Sequence, residues 1–122
     1  MTKSLALIIE DDPQLNEIMA ITLQAEFEIE RRADGLRGWE RLQEITPQVV
    51  VLDLNLPGMP GREILNRLRE EERFKDTRVI LTTADERQAE FLRDKADITL
   101  LKPVSPGQLR ELAKRLRPQT SK

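Results

Sequence analysis

The chain has 122 residues, 39% of them hydrophobic and 34% charged, with 20 Lys and Arg against 22 Asp and Glu for a formal net charge of −2. That length suits one domain around a single core, and so even a charge balance gives no broad attraction to nucleic acid or to an anionic membrane surface. The complete lack of cysteine and histidine excludes a disulfide framework, thiolate or imidazole metal sites, a cysteine nucleophile and a Ser-His-Asp triad.

The apolar stretch behind Met1, Thr2, Lys3 and Ser4 is too short for a signal peptide or a membrane span, so a soluble, cytoplasmic protein is expected. Residues 5–9 read as a buried strand that runs into the acidic turn Glu10, Asp11, Asp12, Pro13. Asp12 ahead of Pro13 has the form of a helix N-cap, and Leu15, Ile18, Met19, Thr22 and Leu23 follow at helical spacing. Residues 27–32 alternate weakly, as a more exposed strand does, and Leu36, Trp39, Leu42 and Ile45 mark a helix closed by Pro47. Residues 49–53 form the most apolar strand and are therefore expected at the centre of the sheet. A helix lined by Ile64, Leu65 and Leu68 should run to about Arg73, followed by a strand over 79–83 and a short helix around 89–92. The last strand is expected at 98–101, and Leu109, Leu112, Ala113 and Leu116 form the apolar face of the last helix. Residues 1–117 thus read as the domain and 118–122 as a polar tail.

Strands that alternate with helices imply a mostly parallel sheet covered on both faces, because parallel neighbours need crossover connections. The expected fold class is α/β, a five-stranded parallel sheet of flavodoxin-like order 2-1-3-4-5. In such sheets the working site lies beyond the carboxyl ends of the strands, where the order reverses between the first and third. Glu10, Asp11 and Asp12 end the first strand, Asp53 the third, Thr82 and Thr83 the fourth, and Lys102 and Pro103 the fifth. Carboxylates crowded there repel one another unless a cation compensates, and a hard divalent ion such as Mg2+ takes carboxylate and carbonyl oxygens. Glu10, Asp11, Asp53 and the backbone carbonyl of Asn55 suit it. A carboxylate beside such an ion can attack a phosphoryl group, with Lys102 and a threonine hydroxyl meeting the charge on its oxygens. Asp53, at the end of the central strand, is the best candidate nucleophile.

With "LIIEDDP", "VVVLDLNLPGMPG", "VILTTA" and "LLKP" present in that order, the chain resembles a response-regulator receiver domain of two-component signalling, of the chemotaxis-receiver kind, from Leu5 to Leu116. The resemblance implies that Asp53 accepts phosphate from a sensor histidine kinase or phosphotransfer protein and that Glu10 and Asp11 bind the metal. It makes Thr83, directly before the small Ala84, the switch hydroxyl, and pairs Lys102 with the phosphoryl group. Such a domain is a phosphoacceptor rather than an enzyme acting on others. It phosphorylates itself from small donors, dephosphorylates itself, and passes its state to a downstream effector; a homodimer is compatible with the sequence.

Two departures bear on output. Where the family carries an aromatic residue three positions before the lysine this chain has Thr99, and the segment from Thr83 to Lys102 is shorter by about one helical turn, with Lys95 where glycine is common. Asn55 and Asp85 occupy the positions by which the family tunes phosphoryl lifetime, and polar residues at both imply a short-lived aspartyl phosphate. Against the phosphoacceptor stands a phosphorylation-independent interaction module, favoured by Thr99 and the short segment and opposed by the complete acidic pocket. An aspartyl-phosphate phosphatase would want a second Asp where Asn55 stands, and a flavin-binding protein would not place Glu10, Asp11 and Asp12 against a phosphate.

Overall fold

The apolar runs become strands and the amphipathic segments become helices in strict alternation. The structure, a computed structural model, describes residues 3–116. The elements are β1 (Ser4–Ile9), α1 (Pro13–Leu23), β2 (Phe27–Arg32), α2 (Gly35–Leu42), β3 (Val49–Asp53), α3 (Gly61–Glu70), β4 (Arg78–Thr83), α4 (Glu86–Leu92), β5 (Ile98–Leu101) and α5 (Pro106–Arg115). All strand pairs are parallel, as the alternation predicts, and the order is β2-β1-β3-β4-β5, the flavodoxin-like order expected. The expected tail at 118–122 lies outside the described residues. Among those described, no helix is long and apolar enough to cross a membrane.

Side chains alternate across a strand, so the sheet has two cores. Leu7, Ile9, Val50, Leu52, Val79 and Leu81 pack with Leu42, Ile64, Leu65, Leu68 and Leu92 under α2, α3 and α4. Ala6, Ile8, Val49, Val51, Ile80 and Leu100 pack with Met19, Leu23, Leu109 and Ala113 under α1 and α5. Every residue of β3 is buried, which its unbroken apolar run requires. At about 1.5–3 kcal/mol for each large apolar side chain buried, these two layers fix the strand ends at which the site is built.

Two helices differ from the expected faces, and a third keeps its expected face of Ile64, Leu65 and Leu68 but ends earlier. In α1 the buried residues are Asn16, Met19 and Leu23, while Ile18 is 46% exposed. The helix is turned toward Asn16 because that amide is tied to the backbone beneath it. In α2, Leu36 is 49% exposed and Gly35, Gly38 and Leu42 face inward. A Cβ at Gly38 would sit 2.6 Å from Cδ1 of Ile9, so the helix lies too close to β1 for a leucine-lined face. The third helix stops at Glu70 rather than near Arg73. A short 3-10 helix (Glu72–Phe74) follows, in which Phe74 turns into the core under the Arg73 guanidinium, 3.9 Å from its ring centroid.

Candidate functional site: a carboxylate cluster with one lysine

Continuing the strand alternation by one step carries Glu10, Asp53 and Lys102 onto the α1/α5 side of the sheet, beyond Ile8, Val51 and Leu100. Glu10 and Asp53 are buried, and Asp11 is exposed beside them. One carboxylate oxygen from each of Glu10, Asp11 and Asp53 lies within 4.8 Å of the others. Lys102 Nζ lies 3.2 Å from Asp53 Oδ2 and 3.3 Å from Glu10 Oε1. The Lys102–Pro103 peptide is cis, and the Lys102 amide donates to the Thr83 carbonyl (2.8 Å).

One ammonium cannot balance three carboxylates, and the protonation states show the strain. Burial, reinforced by the nearby Asp53 charge, raises the Glu10 pKa to about 7 against the lowering influence of the Asp12 amide and Lys102. Burial pulls the Lys102 pKa down, but Asp53 and Glu10 outweigh it and hold the ammonium above its ordinary value. The Asp12 amide donates to Glu10 Oε2 (3.0 Å), whereas the buried Glu10 Oε1 makes no hydrogen bond despite its nearness to Lys102. An all-oxygen cluster with excess negative charge and an orphaned buried carboxylate oxygen is the donor set that a hard divalent cation completes.

The backbone around Asp53 is held from several sides. The Asn55 amide donates to Asp53 Oδ1 (3.2 Å), Leu54 to the Thr82 carbonyl (3.1 Å) and Gly61 to the Leu54 carbonyl (3.1 Å). A Cβ at Gly61 would lie 2.1 Å from the Asp53 carbonyl oxygen, and Gly58 has φ +79°, which only glycine adopts freely. The Pro/Gly run after Asp53 is therefore what lets α3 start directly against the acidic strand end.

The other expected residues fall in two groups. Asp12 caps α1, its Oδ1 accepting from the Gln14 amide (3.0 Å). Thr83 Oγ1 accepts from the Asp85 amide (3.0 Å), and Asp85 caps α4 through the Arg87 (2.9 Å) and Gln88 (3.3 Å) amides, which lower its pKa. Asp85, read from the sequence as a lifetime residue, thus has its Oδ1 committed to the helix; Ala84 and Asn55 are exposed. Thr99 stands apart from the acidic cluster, lining a surface depression of about 680 Å3 with Ala89, Ala96 and Leu101. Lys95 is bound to α3 through Asn66 (2.6 Å).

Asn16 was not visible as a site residue in the sequence. It is buried, and its amide donates to the carbonyls of Glu10 (2.8 Å) and Arg32 (3.1 Å), while its Oδ1 accepts from Arg31 Nε (2.7 Å). It therefore pins the exits of β1 and β2 at the point where the acidic pair begins. The one sequence signal is a polar residue inside an otherwise apolar helical face.

Comparison with known proteins agrees with this geometry. Residues 6–114 match the family described as response regulator receiver domain, and the chain belongs to that family. It is 34% identical over 114 residues to the regulatory protein VanRB of Enterococcus faecalis, an alignment covering 90% of this chain and 49% of that protein. It is 35% identical over 79 residues to the DNA-binding dual master transcriptional regulator RpaA of Synechocystis, covering 64% of this chain and 33% of that protein. The chain thus spans half or less of these two relatives. The chemotaxis response regulator CheY4 of Vibrio cholerae superposes with a TM-score of 0.85 at 26% identity, covering 94% of this chain and 99% of that one. The molecule is a phosphoacceptor signalling domain of two-component response regulators, and phosphorylation-dependent switching is what this family does.

Proposed function

We propose that Asp53 is the phosphoacceptor, charged in a Mg2+-dependent reaction by the phosphohistidine of a sensor histidine kinase or phosphotransfer protein. The observation that carries this is a buried carboxylate at the end of the central strand, 3.2 Å from Lys102 and clustered with Glu10 and Asp11. An Asp53 oxygen bonds to phosphorus as the P–N bond breaks, and the electron pair leaves on the imidazole nitrogen. Lys102 and the Thr83 hydroxyl meet the negative charge on the transferred oxygens. Glu10, Asp11, Asp53 and the Asn55 carbonyl would hold the ion. Bound magnesium supplies charge neutralisation on the phosphoryl oxygens. When the Thr83 hydroxyl turns to the phosphoryl group it leaves the Asp85 amide, which loosens the capped start of α4 and carries the signal to a downstream effector.

The same pocket supports self-phosphorylation from small donors and self-dephosphorylation, with Asn55 beside the acceptor favouring a short-lived phosphate. A cytoplasmic site of action goes with a kinase donor, and the near-neutral charge favours protein partners over direct contact with nucleic acid or membrane.

Incubation with acetyl phosphate and magnesium, followed by intact mass, should show a gain of about 80 Da, one phosphoryl group, in the wild type and none in Asp53→Asn. A wild type that gains nothing would support the second reading, a phosphorylation-independent interaction module. The depression beside Thr99 is the observation that favours that reading.

A further inference from the structure

Thr82 carries a hydroxyl that the reaction outlined above does not use. The residue is 0% exposed and its Oγ1 has no hydrogen-bond partner. An unpaired buried hydroxyl costs about 1–3 kcal/mol, whereas valine fills nearly the same shape without that penalty. β-branching accounts for the shape of Thr82 but not for its oxygen.

Its place in the sheet shows what the oxygen can reach. The parallel register sets Thr82 opposite Asp53 on one side and opposite Leu100 on the other. Strand alternation carries Thr82 beyond Ile80 onto the α1/α5 side, the face that also takes Asp53 beyond Val51 and Lys102 beyond Leu100. Neighbouring strands lie about 4.8 Å apart, so the ladder neighbours of Thr82 on that face are an apolar side chain and the Asp53 carboxylate. Thr83 has the opposite parity, and its hydroxyl is engaged with the Asp85 amide. The two adjacent threonines are therefore not interchangeable. The Asp53 oxygens take one hydrogen bond each, from the Asn55 amide and from Lys102, and each retains a free lone pair.

We propose that Thr82 is a further catalytic hydroxyl, donating to the Asp53 carboxyl group while that group carries phosphate and as the phosphate leaves. This rests on Asp53 being the phosphoacceptor. In hydrolysis the oxygen of water bonds to phosphorus and the bond from phosphorus to the Asp53 oxygen breaks. The electron pair returns to the Asp53 carboxylate, and the proton of the water departs with inorganic phosphate. A hydrogen bond from Thr82 strengthens as that carboxylate regains its charge, so it stabilises the leaving group and shortens the life of the acylphosphate. Thr82 keeps its own proton throughout.

The test compares wild type, Thr82→Val and Thr82→Ser as full chains, loaded with acetyl phosphate and magnesium, freed of donor, and followed by intact mass. Thr82→Val should lose its phosphate about tenfold more slowly, the factor that about 1.4 kcal/mol confers. Thr82→Ser, which keeps the hydroxyl, should stay within about twofold of wild type, and Thr82→Val should unfold at no lower temperature. Decay of Thr82→Val at the wild-type rate overturns the proposal and leaves Asp53 as the acceptor. Equal slowing in both variants assigns the effect to packing and overturns it as well. A wild type that gains no mass removes the Asp53 assignment and this one together.

Discussion

At the carboxyl edge of the sheet the charged side chains are tied to one another and to the backbone: Lys102 meets Asp53 and Glu10, the Asn55 and Asp12 amides donate to those same carboxylates, and Asn16 holds the strand exits. On the neighbouring α4–β5 face, Phe91 is 80% exposed and Leu101 44%, and Thr99 lines an open depression. The first region is fixed because its groups sit on strand ends held by two cores, where moving any one strands a buried charge. The second rests on a seven-residue helix with few buried contacts, so its side chains can change without disturbing the chemistry. The contrast teaches that groups on strand ends are held by both cores, whereas groups on the short α4 and the edge strand β5 are not.

Lys102→Ala is the sharpest way to break that contrast. It removes the only cation seen to contact Asp53 among the described residues, and should slow phosphoryl uptake from acetyl phosphate by about a hundredfold or more, as loss of a transition-state charge partner does. A change of only twofold would show that the edge is not the working part. Asn16→Ala should cost about 1–3 kcal/mol in urea unfolding, because the buried Glu10 carbonyl loses its side-chain donor. It should also weaken magnesium binding measured by calorimetry, whereas a substitution on the α4–β5 face should leave that affinity unchanged.

Glu10 provides a smaller, pH-dependent signature. Its folded pKa of about 7 lies above the ordinary carboxyl value, so in metal-free protein its contribution to stability is fully present below the unfolded pKa and is lost as pH rises through about 7. The slope should reach about 1 kcal/mol per pH unit at most, and Glu10→Gln should flatten it. Magnesium should oppose the loss, stabilising the protein more at pH 8 than at pH 6. Smallest of all, Phe91→Ser should move unfolding free energy by about 0.5 kcal/mol or less and leave the phosphorylation rate unaltered. A tenfold rate change there would couple the two regions.

Much of this was readable in the chain. Val49, Val50, Val51 and Leu52 placed their strand at the centre, and the alternation of strands and helices predicted a parallel sheet covered on both faces. The three charged strand ends and the threonine-bearing one then had to converge on one edge. Helix faces were less legible: counting apolar residues turned Ile18 and Leu36 inward, because spacing cannot show that Asn16 is anchored to the Glu10 carbonyl or that Gly38 must touch Ile9.

Sequence alone thus determined which elements form and which charged groups meet, since both follow from local periodicity and the rules for parallel sheets. Only the tertiary structure decided the depth of burial that lifts the Glu10 pKa, the rotation of α1 about Asn16, and the distinction between Thr82 and Thr83. Those depend on register and on what lies across the next strand, distances that close only when residues far apart in the chain are packed together.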